Sequence, residues 1–396
     1  MKKKSCSSRY CVIAVLFGVV LLPGRLFAAD LTVPELELIS RGRKSGDTVI
    51  LETRGRSEIL LSGGYKFGGS LLLGFESGDL NLATNDPPMW SDYGGDNGAF
   101  NTALSNYLDN QTTLQFQGAE ITYRSLFNSN TDLTYFVGRA ARLASAEVFP
   151  SVFGSMPIAT KYQGYLYFPD FEYRGIHTVN GTGIGLSSSF GSEGHRGSLY
   201  FYQDGYLGEG YYSVDAQYLM NFEKIKLELF AGGSFPQGSL GLYRGGLLFY
   251  YRPTERGEFF SQIGVPYYKP FEEFNINNLY FLFEPRIHFD LVSVILTLFW
   301  HPGYYLMETT GEEGSADIHF NLQFGNPHKN PITGGIETNF NLNTATGSTQ
   351  DFNITTSPYL SAVTSGVVWD FMVNLTLLPY SLEDMVEGVI GVRAEF

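Results

Sequence analysis

The stretch DIHFNLQF, residues 317–324, alternates strictly between polar and apolar side chains. The same pattern returns in IETNFNLN, residues 336–343, where one row contains only a glutamate and three asparagines. Successive side chains of a strand point to opposite faces of a sheet, so each stretch predicts a strand with one apolar and one polar face. The dry core of a soluble β-sandwich would not suit an entirely polar row, although the outer face of such a sandwich is also polar.

The composition of the whole chain points to β structure as well. The 396 residues are 43% hydrophobic and only 17% charged, which excludes a disordered polar chain. The 32 Phe, 26 Tyr and 46 Gly favour pleated sheet and tight turns over helices. We therefore expect an all-β protein, either as soluble domains or as one large barrel.

The N-terminus has the pattern of an export signal. Three lysines at 2–4 precede an apolar run from Val12 to Leu22. Pro23 follows, and the segment ends in the small residues of a cleavage site at Ala28 and Ala29. The run is too short to cross about 30 Å of hydrocarbon, so residues 1–29 predict a cleavable signal peptide. Both cysteines of the chain, Cys6 and Cys11, lie inside it, and the mature protein is predicted to contain no thiol.

The mature chain would be strongly acidic. From Asp30 onward it has 21 basic and 40 acidic residues, a formal net charge of -19. Nucleic acid is an improbable partner for such a chain, since phosphate binding requires an excess of Lys and Arg. A solvated, like-charged surface is the expected consequence.

The last residues carry the resemblance to a known class. Ile390, Val392, Ala394 and Phe396 share one face of a predicted final strand, and Arg393 and Glu395 lie on the other. A terminal aromatic after alternating apolar residues resembles the closing strand of bacterial outer-membrane β-barrels, where it is the signal read by the barrel-assembly machinery. The resemblance covers the mature chain as a class and extends to no closer family.

That resemblance implies a transmembrane antiparallel β-barrel in the outer membrane of a diderm bacterium. Its implied partners are outer-membrane lipid, the barrel-assembly machinery, and small solutes or ions. By the same analogy, a homo-oligomer such as a trimer is an open alternative. An acidic, thiol-free exported chain with polar inner rows fits this class better than it fits a soluble sandwich.

The predicted organisation has three parts. Residues 1–29 are the signal peptide, residues 30–56 form either a plug or the first strands, and residues 57–396 form the barrel. We expect about 16 strands within a range of 14 to 20, with separate strands at 47–54 and 57–65 and another near 161–178. The segments 78–111 and 143–160 are predicted long loops, and folding of the first into the pore or away from it stays open.

The sequence contains no pattern that indicates catalysis. None of the six histidines has a convincing partner, and the Gly-x-Ser-x-Gly elbow of hydrolases is absent. We therefore expect neither an enzyme nor a cofactor. Asp92 and Asp96, in the acidic loop, are weak candidates for Ca²⁺ ligands, although their spacing is not that of an EF-hand.

The leading functional hypothesis is a porin-like channel for passive diffusion of ions or small solutes. The predicted pore-lining residues act electrostatically, and a net acidic lumen favours cations; these residues are Arg139, Lys224, Lys226, Glu228, Glu284, Arg286, Asp317, His319, Glu337, Arg393 and Glu395. Two alternatives are a fatty-acid-type transporter of hydrophobic molecules with an N-terminal plug, and a surface adhesin or structural barrel.

Overall fold

The protein forms one closed antiparallel β-barrel. In this computed structural model the described residues are 30–45, 47–80, 86–109, 111–145, 175–191, 194–236, 241–302, 304–305, 308–309, 315–325, 330–343, 352–380 and 385–395. The predicted signal peptide, residues 1–29, lies outside them. The prediction of a strand at 161–178 falls almost entirely outside them too.

Twenty strands and one α-helix make up the described fold. The strands are β1 (Asp30–Ser45), β2 (Thr48–Gly64), β3 (Phe67–Ser77), β4 (Thr112–Tyr123), β5 (Thr131–Leu143), β6 (His177–Phe190), β7 (His195–Asp204), β8 (Tyr211–Asn221), β9 (Ile225–Pro236), β10 (Leu242–Thr254), β11 (Gly257–Tyr268), β12 (Tyr280–His288), β13 (Val292–His301), β14 (Tyr304–Tyr305), β15 (Glu308–Thr309), β16 (Ser315–Phe324), β17 (Ile332–Asn343), β18 (Phe352–Thr364), β19 (Val367–Leu378) and β20 (Val386–Glu395). The helix α1 (Asn97–Asp109) lies between β3 and β4.

Eighteen of these strands form the ring, and β14 with β15 make a separate short hairpin. Each ring strand pairs antiparallel with its neighbours in sequence, and β20 closes the ring on β1 through pairs such as Glu37 with Arg393. Closure gives every ring strand a partner on both sides over at least part of its length, as strands that cross a bilayer require. The ring is larger than the expected 16 strands and lies within the predicted range.

The strand count differs from the prediction at the N-terminus. The predicted strands 47–54 and 57–65 are one continuous strand, β2, because Arg54, Gly55 and Arg56 keep their pairing with β1. Residues 30–45, for which a plug or a strand was expected, form β1 and pair with β2 on one side and β20 on the other. The Arg-rich sequence of this region therefore belongs to the wall of the barrel.

The two ends of the barrel differ in the length of their connections. At one end lie the connections 46–47, 78–111, 144–176, 205–210, 237–241, 269–279, 302–314, 344–351 and 379–385. At the other end the connections have between two and seven residues, for example 65–66 and 255–256. We call these the long-loop end and the short-turn end, and this asymmetry is typical of outer-membrane barrels.

Aromatic side chains mark the outer face near both ends. Near the short-turn end, Phe67 stacks on Tyr123 and Tyr251 stacks on Phe259, with ring centroids 4.8 and 6.2 Å apart. Near the long-loop end, Phe201 stacks on Tyr212 at 6.2 Å. Exposed Leu, Ile and Val side chains occupy the outer wall between these levels. An apolar band between two aromatic girdles is the surface that a bilayer contacts.

Helices contribute little to the described fold. Helix α1 has no buried residue, and Asp96 caps it by accepting hydrogen bonds from the amides of Gly98 and Ala99 at 2.9 and 3.1 Å. None of the described helices is long and apolar enough to cross a membrane.

Candidate pore

The inner face of the barrel consists of polar rows that continue from strand to strand. Directly paired residues share a face, so pairing traces each row around the wall. One row contains Thr297, His319, Asn339, Thr355 and Thr376 on β13 and β16 to β19. The alternation that defined these strands in the sequence thus places their polar side chains inside the ring.

The β5–β6 hairpin leaves the wall and enters the barrel. Strand β4 pairs with β5 only as far as Gly138, and β7 pairs with β6 only from Gly181 onward. Gly138 and Gly181 are paired with each other; beyond them, residues 139–143 and 177–180 pair with one another, and the Asn180 carbonyl also accepts from the Gly205 amide at 2.9 Å. We call residues 139–144 and 176–180 the inner hairpin.

Two glycines permit the bend. Gly138 has φ +84° and Gly181 has φ +155°, conformations that residues with a Cβ rarely adopt. A Cβ on Gly181 would lie 1.9 Å from the carbonyl oxygen of Gln203, and one on Gly138 would lie 2.4 Å from that of Gln117. The hairpin therefore bends where both strands lack side chains.

One face of the inner hairpin packs against the inner wall. Leu143, Ala144, Ile176 and Val179 are fully buried in an apolar cluster with wall residues of β7 to β13. The backbone of Ala144 is held on both sides: its amide donates to the Glu228 carboxylate, and its carbonyl accepts from the Gln262 side chain. Long-range packing and two buried hydrogen bonds together fix the hairpin inside the barrel.

A buried charged cluster completes this packed side. The Arg244 guanidinium donates to both carboxylate oxygens of Asp215 at 2.7 Å, and the Tyr202 hydroxyl donates to the same carboxylate at 2.7 Å. His177 of the inner hairpin lies 3.2 Å from the Tyr202 hydroxyl, and Ser234 accepts from Arg244 at 2.7 Å. A bidentate guanidinium–carboxylate pair with further hydrogen bonds is the arrangement that makes a buried charge pair tolerable.

The other face of the inner hairpin carries two arginines toward the opposite wall. Arg139 and Arg142 both donate to Glu58 of β2, at 2.9 and 3.1 Å for the first and 3.2 Å for the second. A bulge between Arg139 and Ala141 places the two arginines on one face. The hairpin thus divides the interior into a packed side and a charged side.

The wall on the charged side belongs mainly to β1, β2 and β20. Arg41 pairs with Glu52 at 2.7 Å, and Arg56 pairs with Glu37 at 3.1 Å. The side chains of Arg54 and Arg56 are 46% and 28% exposed, whereas Asp215 and Glu284 on the packed side are fully buried. Water therefore reaches Arg54 and Arg56 on the charged side, whereas it does not reach Asp215 and Glu284.

The predicted pore-lining residues fall into four groups. Glu228, Glu284, Arg286, Asp317, His319 and Glu337 face the interior and are at most 9% exposed. The half-buried residues are Arg139, Lys226 and Arg393. Lys224 lies in the exposed turn between β8 and β9, and Glu395 is the last residue of β20.

Among these residues the structure brings together two pairs. Glu284 pairs with Arg286 and accepts from Thr297 at 2.7 Å, and His319 lies 3.1 Å from Glu337. Arg139 instead pairs with Glu58, a residue that the sequence did not single out. The sequence also did not identify Glu37, Glu52, Arg54 and Arg56 as pore-lining residues. The reason is that the Arg-rich segment 30–56 fitted a plug as well as a strand.

The remaining candidates lie outside the pore. Ile390, Val392 and Ala394 alternate with the inward residues of β20 and are on its outer face; Phe396 is beyond the described residues. Asp96 is the cap of α1, and Asp92 accepts from Ser91 at 3.2 Å. Within the described ranges, no group of three or more metal-binding side chains is suited to holding an ion.

The loop 78–111 begins at the barrel wall, where Asp79 is buried and accepts a hydrogen bond from the Thr53 amide at 3.1 Å. Residues 86–108 are exposed or half-buried throughout, including every side chain of α1 for which exposure is defined. The segment found inside the barrel is the inner hairpin, where the sequence had predicted only a strand end and a loop from 143.

Comparisons with known proteins support the fold. No family model and no curated protein matches the chain. OccAB4 of Acinetobacter baumannii is similar in structure, with a TM-score of 0.50 and 9% identity over 93% of this chain and 98% of that one. A triple mutant of the Rhodopseudomonas blastica porin (TM-score 0.46, 12% identity, 93% and 100% covered) and Pseudomonas putida OprB (0.42, 8%, 100% of both) are further matches. The similarity to OccAB4 shows a shared fold.

Proposed function

We propose that this protein is an outer-membrane channel through which ions or small hydrophilic solutes diffuse passively. The observation that carries the proposal is the contrast between the two faces of one closed ring. The outer face is an apolar band between aromatic girdles, and the inner face carries polar rows and ion pairs. A ring of this kind is suited to a bilayer and can enclose a water-filled interior.

The solute path that this geometry supports lies on the charged side of the inner hairpin. Arg54, Arg56 and Glu58 are partly exposed there, whereas the six buried candidates are at most 9% exposed. Of the predicted pore-lining residues, Arg139 and Arg393 are therefore the ones we assign to the path. Their role is electrostatic, since charged side chains on a pore wall select among ions.

The placement in the membrane follows from the ends of the barrel. Outer-membrane barrels have short periplasmic turns and longer external loops, so we place the long-loop end outside the cell. The outer-face residues Ile390, Val392 and Ala394, with Phe396 after them in the sequence, then act as the signal for the barrel-assembly machinery. One of the structural neighbours is described as a porin, which agrees with this assignment at the level of fold.

The two alternatives have less support. A plugged transporter of hydrophobic molecules needs an N-terminal plug, but Asp30–Ser45 is a wall strand paired on both sides. An adhesin presents a large recognition surface on its loops, and apart from 78–111 and 144–176 the connections at the long-loop end have at most 13 residues. Neither alternative explains an interior divided by a fixed hairpin with ion pairs on its free face.

Solute flux through liposomes tests the proposal. The refolded mature chain is expected to release a small hydrophilic solute, such as a monosaccharide, and to retain a polymer too wide for the barrel. Liposomes with heat-unfolded chain are the control for leakage. Retention of both solutes by liposomes that contain demonstrably folded barrel would refute the channel.

A further inference from the structure

One row of the inner wall alternates in charge from strand to strand. The strand register places Arg393 of β20 beside Glu37 of β1. It then places Glu37 beside Arg56 of β2, and Arg56 beside Glu76 of β3. Directly paired residues share a face, so the charges run positive, negative, positive, negative across four adjacent strands. We call these four residues the alternating row.

The alternating row lies on the charged side of the interior, where water enters. Arg56 pairs with Glu37 at 3.1 Å, and its side chain is 28% exposed. Glu76 is exposed and Arg393 is half-buried. A solute on this side therefore meets a guanidinium and a carboxylate at the same level of the wall.

Two further groups of opposite charges lie along the same path. Glu52, four residues before the row on β2, accepts from Arg41 at 2.7 Å and from Arg54 at 3.0 Å. Glu58, two residues after the row, accepts from Arg139 at 2.9 Å. At about 3.3 Å per residue of a strand, the three levels are separated by about 13 and 7 Å.

A wall of this kind attracts a dipolar solute more than a singly charged one. A solute with one charge is attracted by one side chain and repelled by its neighbour, and the fields of paired charges cancel at distances longer than their separation. An α-amino acid carries its ammonium and its carboxylate on one carbon. Its carboxylate can accept from a guanidinium while its ammonium donates to the adjacent carboxylate of the wall.

From these observations we infer that the alternating row selects zwitterionic solutes, and that small α-amino acids are the solute class that the channel favours. This inference rests on the proposed channel function and names its solute. The two further groups repeat the same contact along the path. Repeated weak contacts suit passage, since a permeating solute has to be attracted enough to enter and held weakly enough to leave.

Tracer efflux of four matched solutes tests the solute class. Alanine is a zwitterion, lactamide is neutral, lactate is an anion and alaninamide is a cation, and all four have the same number of non-hydrogen atoms. Through the refolded mature chain in liposomes, alanine should leave about threefold faster than lactamide, because water-accessible charge pairs contribute modestly. Lactate and alaninamide should each leave more slowly than alanine. Protein-free liposomes give the leak that is subtracted for each solute.

Two substitutions of opposite sign test the alternating row. Glu76→Gln removes a negative charge from it, and Arg56→Gln removes a positive one. Both should bring the ratio of alanine to lactamide efflux close to one, whereas an effect of net charge would shift lactate and alaninamide in opposite directions and leave that ratio unchanged. Because Glu76 is exposed, its substitution leaves the fold intact and keeps the test valid if Arg56→Gln does not fold.

A pair of exposed charges in the short turns provides the matched control. The side chains of Arg256 and Asp290 are 78% and 90% exposed and lie 3.8 Å apart. The double variant Arg256→Gln with Asp290→Asn removes one charge of each sign away from the path. Its ratio of alanine to lactamide efflux should equal that of the unchanged chain.

The outcomes separate this inference from the channel function. Equal efflux of alanine and lactamide, faster efflux of lactate or alaninamide than of alanine, or an unchanged ratio in Glu76→Gln overturns the inference and leaves the channel standing. Absence of efflux above the leak for all four solutes, from demonstrably folded barrel, overturns the channel and the inference with it.

Discussion

Arg139 of β5 binds Glu58 of β2 inside the barrel although two strands of the wall lie between them. The guanidinium nitrogens are 2.9 and 3.1 Å from the two carboxylate oxygens. This contact exists because the β5–β6 hairpin bends into the lumen beyond Gly138. The same bend buries the opposite face of the hairpin against β9 and β11.

The first prediction concerns this contact. Glu58→Gln should lower the K⁺ to Cl⁻ permeability ratio, because it leaves two guanidinium groups without their carboxylate on the water-accessible side. Arg142→Gln should raise the ratio, since one positive charge is lost from the same place. Both side chains are partly exposed, so each substitution should change the folding free energy by about 1 kcal/mol or less. Reversal potentials that move in the same direction for both variants would exclude the pair from the path.

The second prediction concerns the bend itself. Gly181→Ala should destabilise the barrel by about 1–3 kcal/mol, because the new Cβ would meet the Gln203 carbonyl at a φ that alanine avoids. Gly388→Ala is the matched control, since a Cβ there meets no atom within 4 Å. The measurement is the urea midpoint of the folded fraction after refolding. Equal midpoints for the two variants would mean that the bend is not a constraint on the fold.

The third prediction concerns the buried pair on the packed side. Asp215→Asn should cost about 3–5 kcal/mol, because it leaves the fully buried Arg244 without its counter-charge. The double variant Asp215→Leu with Arg244→Met should recover part of that loss, since it removes both charges together. Urea unfolding of the three chains gives the comparison. A double variant less stable than Asp215→Asn would show that the pair itself stabilises the fold.

The fourth prediction concerns assembly in the cell. Phe396→Ala should reduce the amount of folded protein in the outer membrane, because the terminal aromatic is the proposed signal for the barrel-assembly machinery. Refolding of the same variant from denaturant into detergent should be unchanged, as no machinery is involved there. A quantitative immunoblot of folded and unfolded forms provides the readout. An equal loss in both settings would instead assign Phe396 a role in stability.

Much of the ring could be predicted from sequence because each strand carries its own signal. Strands such as β16 and β17 bury one face in the interior and expose the other to lipid, and the sequence shows this division as strict alternation in 317–324 and in 336–343. The strand β1 was ambiguous, since Arg41 and Arg43 in a short N-terminal segment suit a plug as well as a wall.

The inner hairpin could not be predicted from the sequence, because no local pattern of residues indicates it. Leu143, Ala144 and Val179 are small or apolar residues whose burial depends on β9 to β13, more than 45 residues away in sequence. Gly138 and Gly181 mark the bend, but they are two of 46 glycines, most of which serve other turns and strands. Six of the predicted pore-lining residues are at most 9% exposed, and Glu228 among them binds the backbone of the hairpin.

The central claim is that this barrel conducts, and single-channel recording of the refolded mature chain in a planar bilayer tests it most directly. The account predicts stable, step-like conductance from each inserted barrel. A folded barrel that inserts into the bilayer and passes no current would contradict it.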